Sequence, residues 1–178
     1  APHAAADRIA TRLLHWAVAV GMIGLSALGW WMVRQSYYDP WYHKGLGLHR
    51  VLGLGALCLA LLFVLRKPFV RTPPLPPAMP RWQRLAAHAV HVAFYALVLL
   101  VPAAGYLVST SAGAGVPVFG LFEIPALVRV DDATREIAIK VHYYAAYGTV
   151  ALACLHAAAA IKHQWVDRDG VLSRMGWG

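Results

Sequence analysis

Charge is what this sequence has least of. Asp, Glu, Lys and Arg make up 13% of its 178 residues, where an ordinary soluble domain has roughly a quarter. Acids are the scarcer sign, 8 against 16 cations. With 60% hydrophobic residues and a mean hydropathy of +0.54, the composition lies outside the range of soluble domains and points to a small integral membrane protein. Cysteine is nearly missing too. Cys58 and Cys154 fall inside apolar runs, and neither belongs to a C-x-x-C-H attachment motif, a zinc-type pair or a disulfide framework. Both read as small buried hydrophobes. There is no internal repeat and no boundary to a second domain, so residues 1 to 178 read as one unit. No nucleic-acid partner is expected.

Long uncharged runs are what the chain has instead. Residues 13 to 33 (LLHWAVAVGMIGLSALGWWMV) and 85 to 108 (LAAHAVHVAFYALVLLVPAAGYLV) hold no charged side chain, and 46 to 65 (LGLHRVLGLGALCLALLFVL) and 137 to 161 (IAIKVHYYAAYGTVALACLHAAAAI) hold one each, near their starts. Each meets the roughly 20 residues a helix needs to cross a bilayer. The predicted fold is all-α, a membrane four-helix bundle. A cleavable signal peptide is the rival for the first run, but its apolar core spans only about 7–15 residues. Here the run continues to residue 33 and ends in GWWMV, an aromatic interface anchor.

Cations in the connections set the expected orientation, since short loops rich in Lys and Arg stay in the cytoplasm. The second connection, RKPFVRTPPLPPAMPRWQR, carries Arg66, Lys67, Arg71, Arg81 and Arg84 and no acid, and the flanking tails add Arg8, Arg12, Lys162, Arg168 and Arg174. On the other side Arg34, Lys44, Arg50, Arg129, Arg135 and Lys140 mix with Asp39, Glu123, Asp131, Asp132 and Glu136. Both termini are therefore expected in the cytoplasm. Prolines between 73 and 80 predict a stiff, extended inner loop. Residues 109 to 136 form the longest outer segment and the expected docking place for a partner or substrate.

The nine histidines carry the chemistry. Ionisable side chains inside membrane spans are costly, so they face the bundle interior and mark function. Sorted by depth in an up-and-down bundle, His49 and His142 fall in the outer layer, and His15, His88, His91 and His156 in the inner one. His3 and His43 read as solvated. The outer pair is nearly forced. Fourteen residues from His142 to His156 give ~21 Å of rise and four turns less ~40° of rotation, so both point to one side of their helix. Between them on that side lie Ala145, Ala146, Thr149 and Ala153, and after His49 come Gly53, Ala56 and Ala60. Small residues also serve plain helix packing. Coupled to facing histidines, they read here as room for a flat ligand. Zinc or copper would want more ligands, with thiolate or carboxylate among them. Two imidazoles across a planar macrocycle suit a six-coordinate haem, whose natural work is electron transfer. Depth alone leaves His15 or His88 opposite His156.

At DRIATRLLHW (7 to 16), GLGLHRVLGLG (45 to 55), AAHAVHVAFYALVLLVPAAGYL (86 to 107) and LHAAAAIKHQWVDRDGVLSRM (155 to 175) the chain resembles the bacterial cytochrome b561 family, in particular its two-haem superoxide:ubiquinone oxidoreductase type. The resemblance covers nearly the whole chain and implies a bacterial inner membrane. It implies two non-covalent haem b groups with axial ligands His15, His49, His142 and His156, and it selects His15 as the partner of His156. Single electrons would then pass from superoxide at the outer side to ubiquinone in the membrane. Arg50 and Lys140, each within two residues of an outer histidine, are candidates for steering the anion, with interface snorkelling as the competing reading. His163, seven residues after His156, is a candidate quinone hydrogen-bond donor. His88 and His91 share a helix face and are secondary candidates, for haem carboxylates or helix ends. Two other classes stay open: an electron-transfer partner of a periplasmic redox protein, and a haem-free transporter or sensor. Oligomeric state is not readable.

Overall fold

The computed structural model describes residues 2 to 70, 75 to 77 and 79 to 176, with side chains from Asp7 onward. Arg71, Pro73, Pro74 and the His3 side chain lie outside them. Four long helices dominate: α1 (Pro2–Met32), α2 (Pro40–Leu65), α3 (Arg81–Thr110) and α4 (Asp132–Lys162). All four are long and apolar enough to cross a membrane. Each overlaps one of the apolar runs and extends past it.

Local chemistry sets where the helices begin. Asp39 caps α2 by accepting from the Trp41 N–H at 2.8 Å, with Pro40 in the first turn, where no N–H is needed. Asp131 caps α4 by accepting from the Thr134 N–H at 2.8 Å. Pro102 lies inside α3, which runs on through it, and cannot donate to the carbonyl one turn back.

Packing runs around a ring: α1 on α2, α2 on α3, α3 on α4. The seam between α1 and α4 is the thinnest of the four. At mid-depth Val18 and Met22 of α1, Ala60 of α2, and Val98 and Val101 of α3 are buried together, with Ala145 and Ala146 of α4 packed against them. Thr149 is also buried and returns its hydroxyl to the Ala145 carbonyl at 2.8 Å. The small-residue stripe of α4 is thus largely filled by this core. On α2 the stripe divides: Ala60 is in the core, whereas Gly53 faces open space.

The two cysteines are not buried. Cys58, in a groove between α1 and α2, and Cys154 are both exposed. Sulfhydryls are apolar enough to meet lipid, which removes the driving force that hides them in a soluble core.

Between α3 and α4 the chain makes a small hairpin, β1 (Val116–Val118) and β2 (Phe122–Ile124), antiparallel with Val116 opposite Ile124 and Val118 opposite Phe122. Its turn holds Phe119 at φ 51° and Gly120 at φ 74°. The Tyr106 hydroxyl ties the hairpin to α3, donating to the Pro125 carbonyl at 2.6 Å and accepting from the Leu127 N–H at 3.0 Å. At the opposite end, after a π-turn at His163–Asp167, the segment around Leu172–Arg174 folds back over α1. Arg12 donates to the carbonyls of Arg174 (2.8 Å) and Ser173 (3.2 Å), and Trp16 Nε1 donates to that of Met175 (3.0 Å).

Candidate functional site

Histidines from three helices meet in two layers. At the hairpin end, His49 of α2 faces His142 of α4 with ring centroids 6.0 Å apart and planes at 84°. At the end bearing the termini, His15 of α1 faces His156 of α4 across the thin seam, 6.4 Å apart. Helix α4 supplies one ring to each layer. A metal–imidazole bond of roughly 2 Å, plus roughly 1 Å from nitrogen to ring centre, puts the centroids of two trans imidazoles about 6 Å apart. Both pairs meet that spacing.

Edge-to-face ring packing spans the same distances, so spacing is joined here by three further observations. Nδ1 of His15, Nδ1 of His49 and Nε of Arg50 are buried without a hydrogen-bond partner. Buried polar atoms without partners are costly in a finished core. Next to His49 and His142 lies a cavity of about 140 Å³, also lined by Arg50, Gly53, Pro102 and Gly105. A Cβ built at Gly53 would touch nothing within 4 Å. Room, unspent polar atoms and opposed rings therefore coincide.

Two glycines bring the rings against the backbone. In a helix each Cβ leans toward the N-terminus and covers the carbonyl of the preceding turn. Gly105 covers nothing, and His142 Nδ1 donates to the Val101 carbonyl, four residues back, at 2.7 Å. A Cβ at 105 would stand 2.8 Å from His142 Cε1. Gly29 repeats the arrangement on α1, where an added Cβ would meet His49 Cε1 at 3.1 Å. With Nδ1 of His142 occupied as a donor, its Nε2 lone pair is free for a metal, the usual outer-shell arrangement of a ligating histidine.

The terminal-end layer holds a third imidazole. His91 lies 5.6 Å from His156, centroid to centroid, and Phe94 lies 5.4 Å from the same ring. His91 Nδ1 donates to the Ala87 carbonyl at 2.6 Å. His88 is exposed and makes no ring contact with His156 among the described residues. His163 is partly buried, and its Nδ1 donates to Asp169 Oδ2 at 2.7 Å, with Asp167 Oδ2 at 3.2 Å. Lys140 is exposed on α4 and His43 is exposed beside Tyr37 and Tyr42. Gly29, Gly105 and Phe94 did not stand out in the sequence. Their one local signal is that glycine inside a helix costs about 1 kcal/mol against alanine, which asks for a reason without saying which.

Fold and site together define a multi-pass membrane protein built around imidazoles opposed in pairs. Residues 8–178 match the family model of prokaryotic cytochrome b561. The chain is similar to cytochrome b561 homolog 2 of Escherichia coli strain K12, 39% identical over 162 residues that make up 90% of this chain and 86% of that protein. It is also similar to cytochrome b561 homolog 1 of the same strain, 25% identical over 166 residues, 91% of this chain and 92% of that one. The chain belongs to the prokaryotic cytochrome b561 family. It is accordingly a bacterial multi-pass membrane protein of electron transfer, from a family that binds haem b. The opposed imidazoles, the orphaned ring nitrogens and the adjoining cavity fit that group.

Proposed function

We propose that this cytochrome is a single four-helix unit that carries single electrons from superoxide to ubiquinone, using two haem b groups. His49 with His142 would hold one, and His15 with His156 the other. Haem b held by these histidines would supply one-electron chemistry. Two superoxide anions give up one electron each and leave as oxygen, and one ubiquinone takes both electrons with two protons to become ubiquinol. The observation that carries the reading is the pair of histidine layers at one bundle's two ends, with centroid spacings of 6.0 and 6.4 Å.

The cationic second connection and tails support an orientation with both termini in the cytoplasm and the hairpin end at the periplasm. Arg50 then has a buried, unpartnered Nε in the cavity beside His49, placed to meet an anionic group there. Exposed Lys140, two residues before His142, suits the steering of a small anion from solution. His163, anchored by Asp169, would offer its other ring nitrogen to a quinone oxygen. The proximity of His91 to His156 favours His91 over His88 as the supporting residue on α3.

Anaerobic purification, a haem count, and separate reduction by superoxide and by ubiquinol test the proposal. Two haems per chain, reducible by both, are expected. No reducible b-type bands would leave the haem-free reading, and inertness to superoxide with a co-purifying periplasmic protein would establish the partner reading instead. Replacing histidines singly by alanine tests the ligands: His15→Ala should lose one haem and His88→Ala none. Loss with His88→Ala alone overturns the assignment.

A further inference from the structure

The hairpin between α3 and α4 has two unlike faces. Its inner face is seated on the bundle: Val116 is 2% exposed, packs toward α2 and lines the cavity beside the His49–His142 pair. Its outer face is bare and apolar. Phe119 is 68% exposed, Leu121 82%, Phe122 60% and Leu127 79%. Three of the four exceed the 67% of Val20 and Leu155, which lie within spans α1 and α4, and Phe122 comes close to it.

A patch like this needs an occupant. Residues 112 to 128 contain one charged side chain, Glu123, and its Oε1 is turned back to accept from the Gly115 N–H at 2.8 Å. Encounters with soluble redox proteins are steered by complementary charge, which this face does not offer. The hairpin also cannot reach far from the bundle. It leaves α3 at Thr110, the Val130 N–H returns to the Ser111 carbonyl at 3.4 Å, and Tyr106 clamps Pro125 and Leu127. That holds it level with the exposed Trp30, Trp31 and Trp41 at the same end, the aromatic belt that marks a membrane boundary. Phe119 adds a second observation. It occupies the left-handed region, at φ 51°, in a turn position normally filled by Gly, Asn or Asp. An aromatic there costs backbone energy, and at 68% exposed it recovers little of that by packing on the fold.

We propose that the hairpin is an interfacial membrane anchor, with Phe119, Leu121 and Phe122 inserted among the acyl chains at the bilayer boundary, and that it roofs the cavity from the lipid side. Apolar area moved out of water drives this insertion. The inference rests on the membrane-spanning bundle alone and is independent of the electron-transfer reading.

The test uses the full-length protein with Cys58 and Cys154 changed to serine. A spin label is placed at Phe119→Cys, at Leu121→Cys or, as an aqueous reference, at Arg135→Cys. In vesicles of phosphatidylethanolamine and phosphatidylglycerol, power saturation compares collision with oxygen and with a water-soluble nickel chelate. Labels at 119 and 121 should favour oxygen several-fold over the chelate, and the label at 135 should show the reverse. Chelate collision at 119 and 121 matching that at 135 overturns the proposal. So does a label reached by the chelate until a periplasmic extract shields it, which would make the face a protein dock. The two sites guard against one substitution disturbing the turn.

Discussion

Gly105 and Gly29 set how closely the imidazoles of His142 and His49 approach the backbone of α3 and α1. The approach at Gly105 is the tighter, 2.8 against 3.1 Å from an added Cβ to the nearest ring atom. Gly105→Ala should therefore displace His142 and break its 2.7 Å bond to the Val101 carbonyl and, under the proposed ligation, lower haem content at the hairpin-end pair by half or more. Gly29→Ala should mainly shift that group's reduction potential. Haem per protein and a redox titration distinguish the two outcomes, and equal effects would contradict the graded contacts. Some of this was legible in the sequence. His49 and His142 could be paired because depth along a helix is a one-dimensional quantity, and His142 and His156 could be aligned because fourteen residues nearly complete four turns. The rotation of α3 about its own axis is not one-dimensional. His88 and His91 share a face by spacing, yet only His91 comes within ring distance of His156. The two glycines were beyond reach for the same reason, since what a missing Cβ uncovers depends on the neighbouring helix.

At the scale of elements, the segment after α4 behaves as a strap. It crosses to α1 through the carbonyls of residues 173 to 175, which accept from Arg12 and Trp16 on either side of His15. Hydrogen bonds to a charged donor contribute about 1.5–3 kcal/mol, so Arg12→Ala should lower thermal stability in detergent by about that amount. Under the proposed ligation, its visible spectrum should change more for a haem at His15–His156 than for one at His49–His142. The turn feeding the strap depends on Asp169. Burial pulls this carboxyl's pKa upward, but hydrogen bonds from the Val171 N–H and His163 outweigh it and hold the group below its ordinary value. A depressed folded value means that the contribution is complete above the ordinary carboxylate range and is lost as pH falls through the lower folded value. Protease cleavage around residue 170 should therefore rise only in strong acid, and Asp169→Asn should cleave readily at neutral pH with that acid step gone. The sequence disclosed the helices through length and apolar content. It disclosed the hairpin poorly, because three-residue strands give no alternation and Pro117 argues against a strand. It also suggested buried cysteines, a rule borrowed from soluble cores that fails where the outer solvent is lipid.

For the whole molecule, the excess of cations, a formal +8, gives a long-range field that salt can screen. If superoxide is the donor, its rate of haem reduction in stopped flow should fall as ionic strength rises and fall again with Lys140→Ala. A rate indifferent to both would remove the steering role. The distribution of histidines has a different kind of consequence. Because α4 provides one imidazole at each level and α1 and α2 provide the others, a nascent chain that has inserted only three helices displays half of each pair and can complete neither. Under the proposed ligation, haem capture is then a late event in biogenesis that reports whether the last helix has been threaded correctly. Chains misassembled at that step would be colourless, and colour itself would mark the molecules fit to keep.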